Sequence, residues 1–250
     1  MQVDLIKAGF SGTKLEQIDR HLIENYIGQG KIAGCQVMVA RRGTPAYFKS
    51  FGDMDRERGK PVCDDTIFRI YSMTKPITSI ALMMLFEEGR FQLNDPVYRF
   101  FPAWRDHEVW VQGEGASMLT RPPASPMTMR HVLSHTSGLT YGKLLDADPH
   151  PVDAVYQKLG VRRADGETVT SFADKLAQVP LRFDPGTRWL YSLATDVCGC
   201  LVQAISGQKF EDFLQQRIFE PLGMTDSAFW VPESKVQRFA ANYQRAADKS

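Results

Sequence analysis

Hydrophobic spacing divides the chain into segments before any chemistry is considered. From Lys14 to Gln29, Leu15, Ile18, Leu22, Ile23 and Ile27 recur at helical intervals among polar residues, which predicts an amphipathic helix. Two β-type runs follow, CQVMVARR and PAYFKSFGD, separated by Gly43-Thr44, and this pattern predicts a hairpin. Thr66 to Tyr71 reads as a third strand or as an extended approach to the next helix. From Thr74 to about Glu88 the chain is apolar on nearly all sides, through Ile77, Ile80, Ala81, Leu82, Met83, Met84, Leu85 and Phe86. A helix of that kind is a buried one, and Gly89 is placed to end it in a left-handed cap.

Between Arg90 and about Arg182 the character changes. Loop sequences such as GEGASMLTRPPASPMT and YGKLLDADPHP alternate with short helical patterns, TMRHVLSHT and TSFADKLAQV. Further helices are expected from about Ala194 to Ile205 and from Phe210 to Ile218, and Ser227 to Val231 reads as a strand beginning. The expected organisation is 1–90 as the N-terminal part of an α/β region with a central helix, 91–225 as a mainly helical region, and 226–250 as a truncated return to the sheet. The expected fold class is α/β of the α+β kind, an antiparallel sheet flanked by helices plus the helical region. Two or three strands make a poor sheet for a buried helix, so the sheet is expected to be incomplete.

Composition changes this picture little. Hydrophobic residues make up 43% and charged residues 24% of the 250, the ordinary globular range. A formal charge of +1 without a basic block gives no electrostatic case for nucleic acid or an anionic membrane. The longest nearly apolar run, Ile77 to Phe86, is too short to cross a bilayer. MQVDLIKAGF lacks the pattern of a secretory leader, so the expected location is the cytoplasm, or the periplasm or exterior if a leader was removed. Cys198-Gly-Cys200 lies in an apolar helical pattern, where cysteine behaves as a small buried hydrophobe rather than a metal or redox ligand.

Candidate chemistry begins at YSMTK. Residues three apart share a helix face, and a serine at a helix N-terminus sits among unpaired N–H groups at the positive end of the dipole. Ser72 could therefore be a nucleophile with Lys75 as its proton partner. The pattern alone is weak, because S-x-x-K occurs at Ser11, Ser72 and Ser206; for Ser72 the alternative is a capping serine beside a solvated lysine. A neutral Lys75 near pH 7 would need its pKa lowered by roughly three units, about 4–5 kcal/mol. A tyrosine phenol sharing the proton with a cationic Lys75 eases that demand, and Tyr191, just after the Asp184-Pro185-Gly186 turn, is a candidate, with a half-buried core tyrosine the equal alternative.

Three blocks occur in order: YSMTKPITSIALMMLFEEGRFQLNDPV, MTMRHVLSHTSGLTYG and FDPGTRWLYSLATDVCGCLVQAISGQKFEDFLQQRIFEPLGMTDSAFW. Together they resemble the serine β-lactamase-like family, which includes class C β-lactamases, D-alanyl-D-alanine carboxypeptidases and family VIII esterases. The resemblance implies a β-lactamase/transpeptidase-like fold with no metal or organic cofactor. It implies Ser72 as the acylated nucleophile, its N–H as half of an oxyanion hole, Lys75 as proton partner, Tyr191 as general base, and LSHTSGL as a structural turn. Two departures stand out. Leu193 replaces the asparagine of the family's Tyr-x-Asn, and no Gly-containing triplet of the third motif follows Tyr191.

The expected function is a serine hydrolase cleaving small carboxylic esters through an acyl-enzyme on Ser72. The alternatives are a β-lactamase or D,D-peptidase, and a non-catalytic fragment or binding protein of the same fold. The absent third motif leads us to expect a chain lacking its C-terminal part. His131 and His135 have the i, i+4 spacing of a metal pair, but the glutamate of H-E-x-x-H is missing. Trp104, Trp110, Tyr141 and Trp189 could line an acyl pocket, with core packing the default for each.

Overall fold

A computed structural model describes residues 2–142, 150–161 and 166–244. The chain forms two compact units, 1–71 with 228–250, and 72–227. This division places the Ser72 helix with the helical residues, whereas the expected boundary at 90 followed the change in sequence character.

In the first unit, α1 (Leu5–Ala8) and α2 (Gly12–Leu22) precede an antiparallel sheet of β1 (Gly34–Arg41), β2 (Thr44–Asp55) and β3 (Lys60–Pro61), in that order. The helical spacing past Leu22 continues as a π turn over Ile23–Ile27. Arg41 pairs with Thr44, so the hairpin turn is Arg42-Gly43 rather than Gly43-Thr44. Both turn residues are left-handed, at φ 52° and 74°, as a two-residue turn that follows the strand twist requires. Ala8, Leu15, Ala46 and Tyr47 form a small core with Phe10, Ile18, Val37, Val39 and Phe51.

Thr66 to Tyr71 is the extended approach, making one parallel bridge from Ile67 to Phe239. The strand expected over Ser227–Val231 does not form: the backbone bends there and continues into a 3-10 turn, Glu233–Arg238. Its β-type side chains find no ladder partner among the described residues. Of the polar tail, 245–250 lies outside the described residues, as do 143–149 of the YGKLLDADPHP loop.

The second unit is mainly helical: α3 (Thr74–Glu87), α4 (Met129–Leu133), α5 (Pro151–Lys158), α6 (Val169–Ala177), α7 (Ala194–Ser206) and α8 (Phe210–Leu214). A ribbon of β4 (Val109–Gln112) and β5 (Leu119–Arg121) lies within the region expected to be mainly helical, with β5 inside a segment read as loop. Helices α3 and α7 pack together, and Ala81, Leu82 and Leu85 share one core with Val197, Cys198, Leu201 and Val202. Gly89 takes φ 72° and closes α3 as expected. The expectation of all-round burial is corrected, because α3 buries one face and leaves Ile80 56% exposed. Cys198 and Cys200 are buried in α7, and burial pushes both thiols well above their ordinary range, as packing residues rather than reactive ones.

Candidate active site

A 3-10 turn, Tyr71–Met73, runs directly into α3. Ser72 is exposed on it. The helix takes Met73 as its N-cap and has no side-chain cap bond, so the Ser72 hydroxyl is not engaged as a cap. Lys75, in the first turn of α3, instead donates from Nζ to Ser72 Oγ at 3.2 Å. The other two S-x-x-K matches do local work. Ser11 is the N-cap of α2 and bonds Thr13, while Ser206 accepts from the Gln208 N–H.

Tyr191 joins the pair from a distant part of the chain, its hydroxyl donating to Ser72 Oγ at 2.7 Å. The segment carrying it is laid along the loop after α4 by a series of main-chain bonds. The N–H groups of Arg182, Gly186 and Leu190 donate to the carbonyls of Gly138 (2.8 Å), Thr136 (2.7 Å) and His135 (2.9 Å). The Asp184-Pro185-Gly186 turn needs its glycine, which has φ 87° and would place a Cβ 3.0 Å from His131 Nε2. Asp184 accepts two bonds from Arg121, at 3.0 and 2.5 Å, and one from the Ala124 N–H at 2.8 Å. Those donors, Arg121 first, pull its carboxyl down to about 2.

A second phenol, Tyr141, completes the cluster. Lys75 Nζ lies 4.7 Å from the Tyr191 ring centre and 5.5 Å from that of Tyr141, and the two rings are 5.3 Å apart. The Tyr141 loop is held from behind by a buried network. Thr140 Oγ1 donates to Asp153 Oδ1 (2.8 Å) and accepts from the Gly142 N–H (2.8 Å), and the Thr140 N–H donates to the Tyr156 hydroxyl (3.0 Å). Tyr141 was singled out only as a pocket or core aromatic; its approach to Lys75 arises from tertiary packing, although it stands in the same LSHTSGLTYG block.

The charges respond to this geometry. Burial alone would lower the Lys75 pKa, but hydrogen bonds to Tyr141 and Tyr191 outweigh burial and hold it above its ordinary value. Burial would raise Tyr191, yet the bonds with Lys75 and Ser72 and the ammonium charge bring its phenol below the ordinary range. Tyr141 moves the other way, raised chiefly by burial with the Asp196 charge adding to it, against the pull of Lys75. The arrangement therefore keeps Lys75 cationic and makes the Tyr191 phenol the more acidic of the two. Once ionised, such a phenol can take a proton from a hydroxyl that it touches.

The remaining candidates sort by contact. His131 Nδ1 accepts from the Thr128 N–H at 3.2 Å, inside the cap of α4. His135 faces Ser192 and Thr195, so the two histidines do not share a metal geometry. No group of three or more His, Cys, Asp or Glu side chains that could hold a metal ion occurs among the described residues. Trp104 is buried, with its indole N–H on the Ala173 carbonyl (3.0 Å), and Trp110 donates to the Gly113 carbonyl (2.9 Å). Trp189 is 66% exposed and stacks on Tyr191 with ring centres 6.4 Å apart. Leu193 turns into the core at the start of α7 while its N–H donates to the Thr140 carbonyl. No helix among the described residues is long and apolar enough to cross a membrane.

The chain is similar to known proteins over most of its length. The β-lactamase family model matches residues 20–250. Esterase EstB of Burkholderia gladioli is 35% identical over 227 residues, covering 89% of this chain and 53% of that protein. Among solved structures, EstCE1, a hydrolase with promiscuous acyltransferase activity, superimposes with a TM-score of 0.77 at 29% identity, over 94% of this chain and 58% of that one. Simvastatin synthase (LovD) from Aspergillus terreus gives a TM-score of 0.77 at 27% identity, over 96% of this chain and 59% of the other. The chain thus spans about half the length of the curated relatives it matches.

Proposed function

Since the chain belongs to the β-lactamase family, we propose that it performs serine acyl transfer on small carboxylic esters, with Ser72 as nucleophile, Tyr191 as general base and Lys75 as a permanent cation. The observation that carries this reading is the meeting at one oxygen: Ser72 Oγ lies 2.7 Å from the Tyr191 hydroxyl and 3.2 Å from Lys75 Nζ. In its phenolate form Tyr191 accepts the Ser72 proton as Oγ attacks the ester carbonyl. The Ser72 N–H, at the positive end of α3, stabilises the oxyanion that forms. The Tyr191 phenol then returns the proton to the departing alkoxide. Water, deprotonated by the same phenolate, then attacks the acyl carbon, and the phenol returns that proton to Ser72 Oγ as the C–Oγ bond breaks and the acid leaves. Lys75 need not lose its proton at any step, which removes the 4–5 kcal/mol or so that a neutral lysine would demand.

Esters are favoured over β-lactams by Leu193. A side chain directed into the core offers no hydrogen bond to a substrate amide. Esterase and acyltransferase relatives, EstB and EstCE1 among them, support the same choice.

The test is covalent. A fluorophosphonate should label folded protein at Ser72, and Ser72→Ala should abolish the label. Failure to label Ser72 in folded protein removes the proposal and leaves a binding role. p-Nitrophenyl butyrate should give a larger acylation burst than nitrocefin, and the reverse order would make the chain a lactam-directed enzyme.

A further inference from the structure

We propose that His135 is a positioning residue for the reaction at Ser72: its main-chain carbonyl and its imidazole together hold the two residues flanking Tyr191, and so fix the Tyr191 phenol against Ser72. The inference rests on the reading of Tyr191 as the base.

The geometry is a bracket. The His135 carbonyl accepts the Leu190 N–H at 2.9 Å, and its Nδ1 accepts the Ser192 N–H at 3.3 Å. Tyr191 lies between those two anchors, with its ring centre 5.0 Å from that of the imidazole. Because a main-chain N–H points at Nδ1, that nitrogen must present a lone pair, and the ring proton belongs on Nε2. Nε2 then donates to Thr195 Oγ1 at 3.3 Å, in the first turn of α7. One residue thus ties the Tyr191 turn to the helix that follows it.

The backbone has been bent to allow this. His135 takes φ 56°, a left-handed conformation that non-glycine residues adopt only where the surroundings enforce it. In that conformation both the carbonyl and the ring reach the same strand of chain. Burial and the nearby Lys75 charge lower the imidazole pKa, which agrees with a neutral ring accepting at Nδ1. A bracket on residues 190 and 192 controls the angle at which residue 191 projects, and a misplacement of about 1 Å at a reacting group costs on the order of 10²-fold in rate.

Two substitutions separate the side chain from the backbone. His135→Gly keeps the left-handed conformation but removes the ring acceptor. His135→Asn tolerates the same conformation and places an amide oxygen near the position of Nδ1. Two readouts are taken: the rate of fluorophosphonate labelling at Ser72, and the ultraviolet difference titration of the Tyr191 phenol against Tyr191→Phe. The glycine variant should label roughly 10- to 100-fold more slowly, with the phenol titrating at higher pH, and the asparagine variant should recover most of both. Wild-type labelling and an unmoved phenol in His135→Gly overturn the proposal, as does an equal loss in both folded variants. If His135→Gly does not fold, His135→Asn decides alone: retained labelling and titration support the bracket, and their loss in folded protein overturns it. If Tyr191→Phe labels as fast as wild type, the base reading falls. The phenol titration still judges the bracket, which an unmoved value in His135→Gly overturns.

Discussion

Tyr191 and Tyr141 approach one ammonium from two loops, and their phenols are driven in opposite directions. Both lie within reach of Lys75, at 4.7 and 5.5 Å from ring centre to Nζ. Tyr191 adds a hydrogen bond to Ser72, and its pKa falls below the ordinary value; Tyr141 is raised chiefly by burial, with the Asp196 charge adding to the rise. The difference teaches that a cation alone does not make a base. The phenol that gains from Lys75 is the one that also touches Ser72, while burial cancels the benefit for the other.

The largest effect should come from removing what the two share. Lys75→Met deletes the charge that lowers Tyr191 and the donor that holds Ser72, so labelling at Ser72 should fall by about 10³-fold or more. The Tyr191 phenol should titrate at higher pH in the same variant. A Lys75→Met protein that labels within tenfold of wild type would show that the ammonium is a bystander. Tyr191→Phe comes next, with a loss of roughly 10²–10⁴-fold, the range of a single general base. The pH profile supplies the sign. A phenolate base works above its pKa, so labelling should rise with pH and level off below pH ~10, the ordinary phenol value. Tyr191→Phe should abolish that limb.

Tyr141→Phe should cost less, about 10-fold, because its phenol remains protonated and acts by orienting Lys75 rather than by taking a proton. Stopped-flow labelling of the two phenylalanine variants side by side decides the comparison. Equal losses would mean that the proton is shared over both phenols, and the opposite order would exchange their roles.

How far this was legible varies with the range of the interactions. Helix geometry puts Ser72 and Lys75 on one face, but the other two S-x-x-K matches have the same spacing, and only the resemblance of the three blocks singles out this pair together with Tyr191. Local pattern also placed α2, α3, α7 and the hairpin. It failed where a contact is tertiary or a backbone angle is unusual. Tyr141 reaches Lys75 only because Thr140, Asp153 and Tyr156 pin its loop from behind. Spacing pairs His135 with His131, a match that lacks the glutamate of a metal motif and says nothing of its real neighbours, whereas a left-handed φ of 56° turns it toward the Tyr191 segment. The SAFWV run shows the same limit for strands, since β-type residues do not make a strand without a partner to bond.

The smallest effect tests the distant support of the Tyr191 turn. Asp184 titrates at about 2 in the folded chain, against ~3.9 when unfolded. A depressed carboxyl contributes stability that is fully present above about pH 4 and is lost as pH falls through about 2. Arg121 is half exposed, its side chain retaining 48% of its accessible surface, so solvent screening leaves the pair only a small contribution. Asp184→Asn should therefore lower the unfolding temperature by a few degrees at pH 7, and the gap from wild type should close near pH 2. The amide oxygen can still accept from the Ala124 N–H, so the turn should keep its shape and Ser72 should still label. A large loss of labelling in folded Asp184→Asn would instead make the Arg121–Asp184 pair part of what aims Tyr191, and would place the support of the two phenols on one continuous loop system.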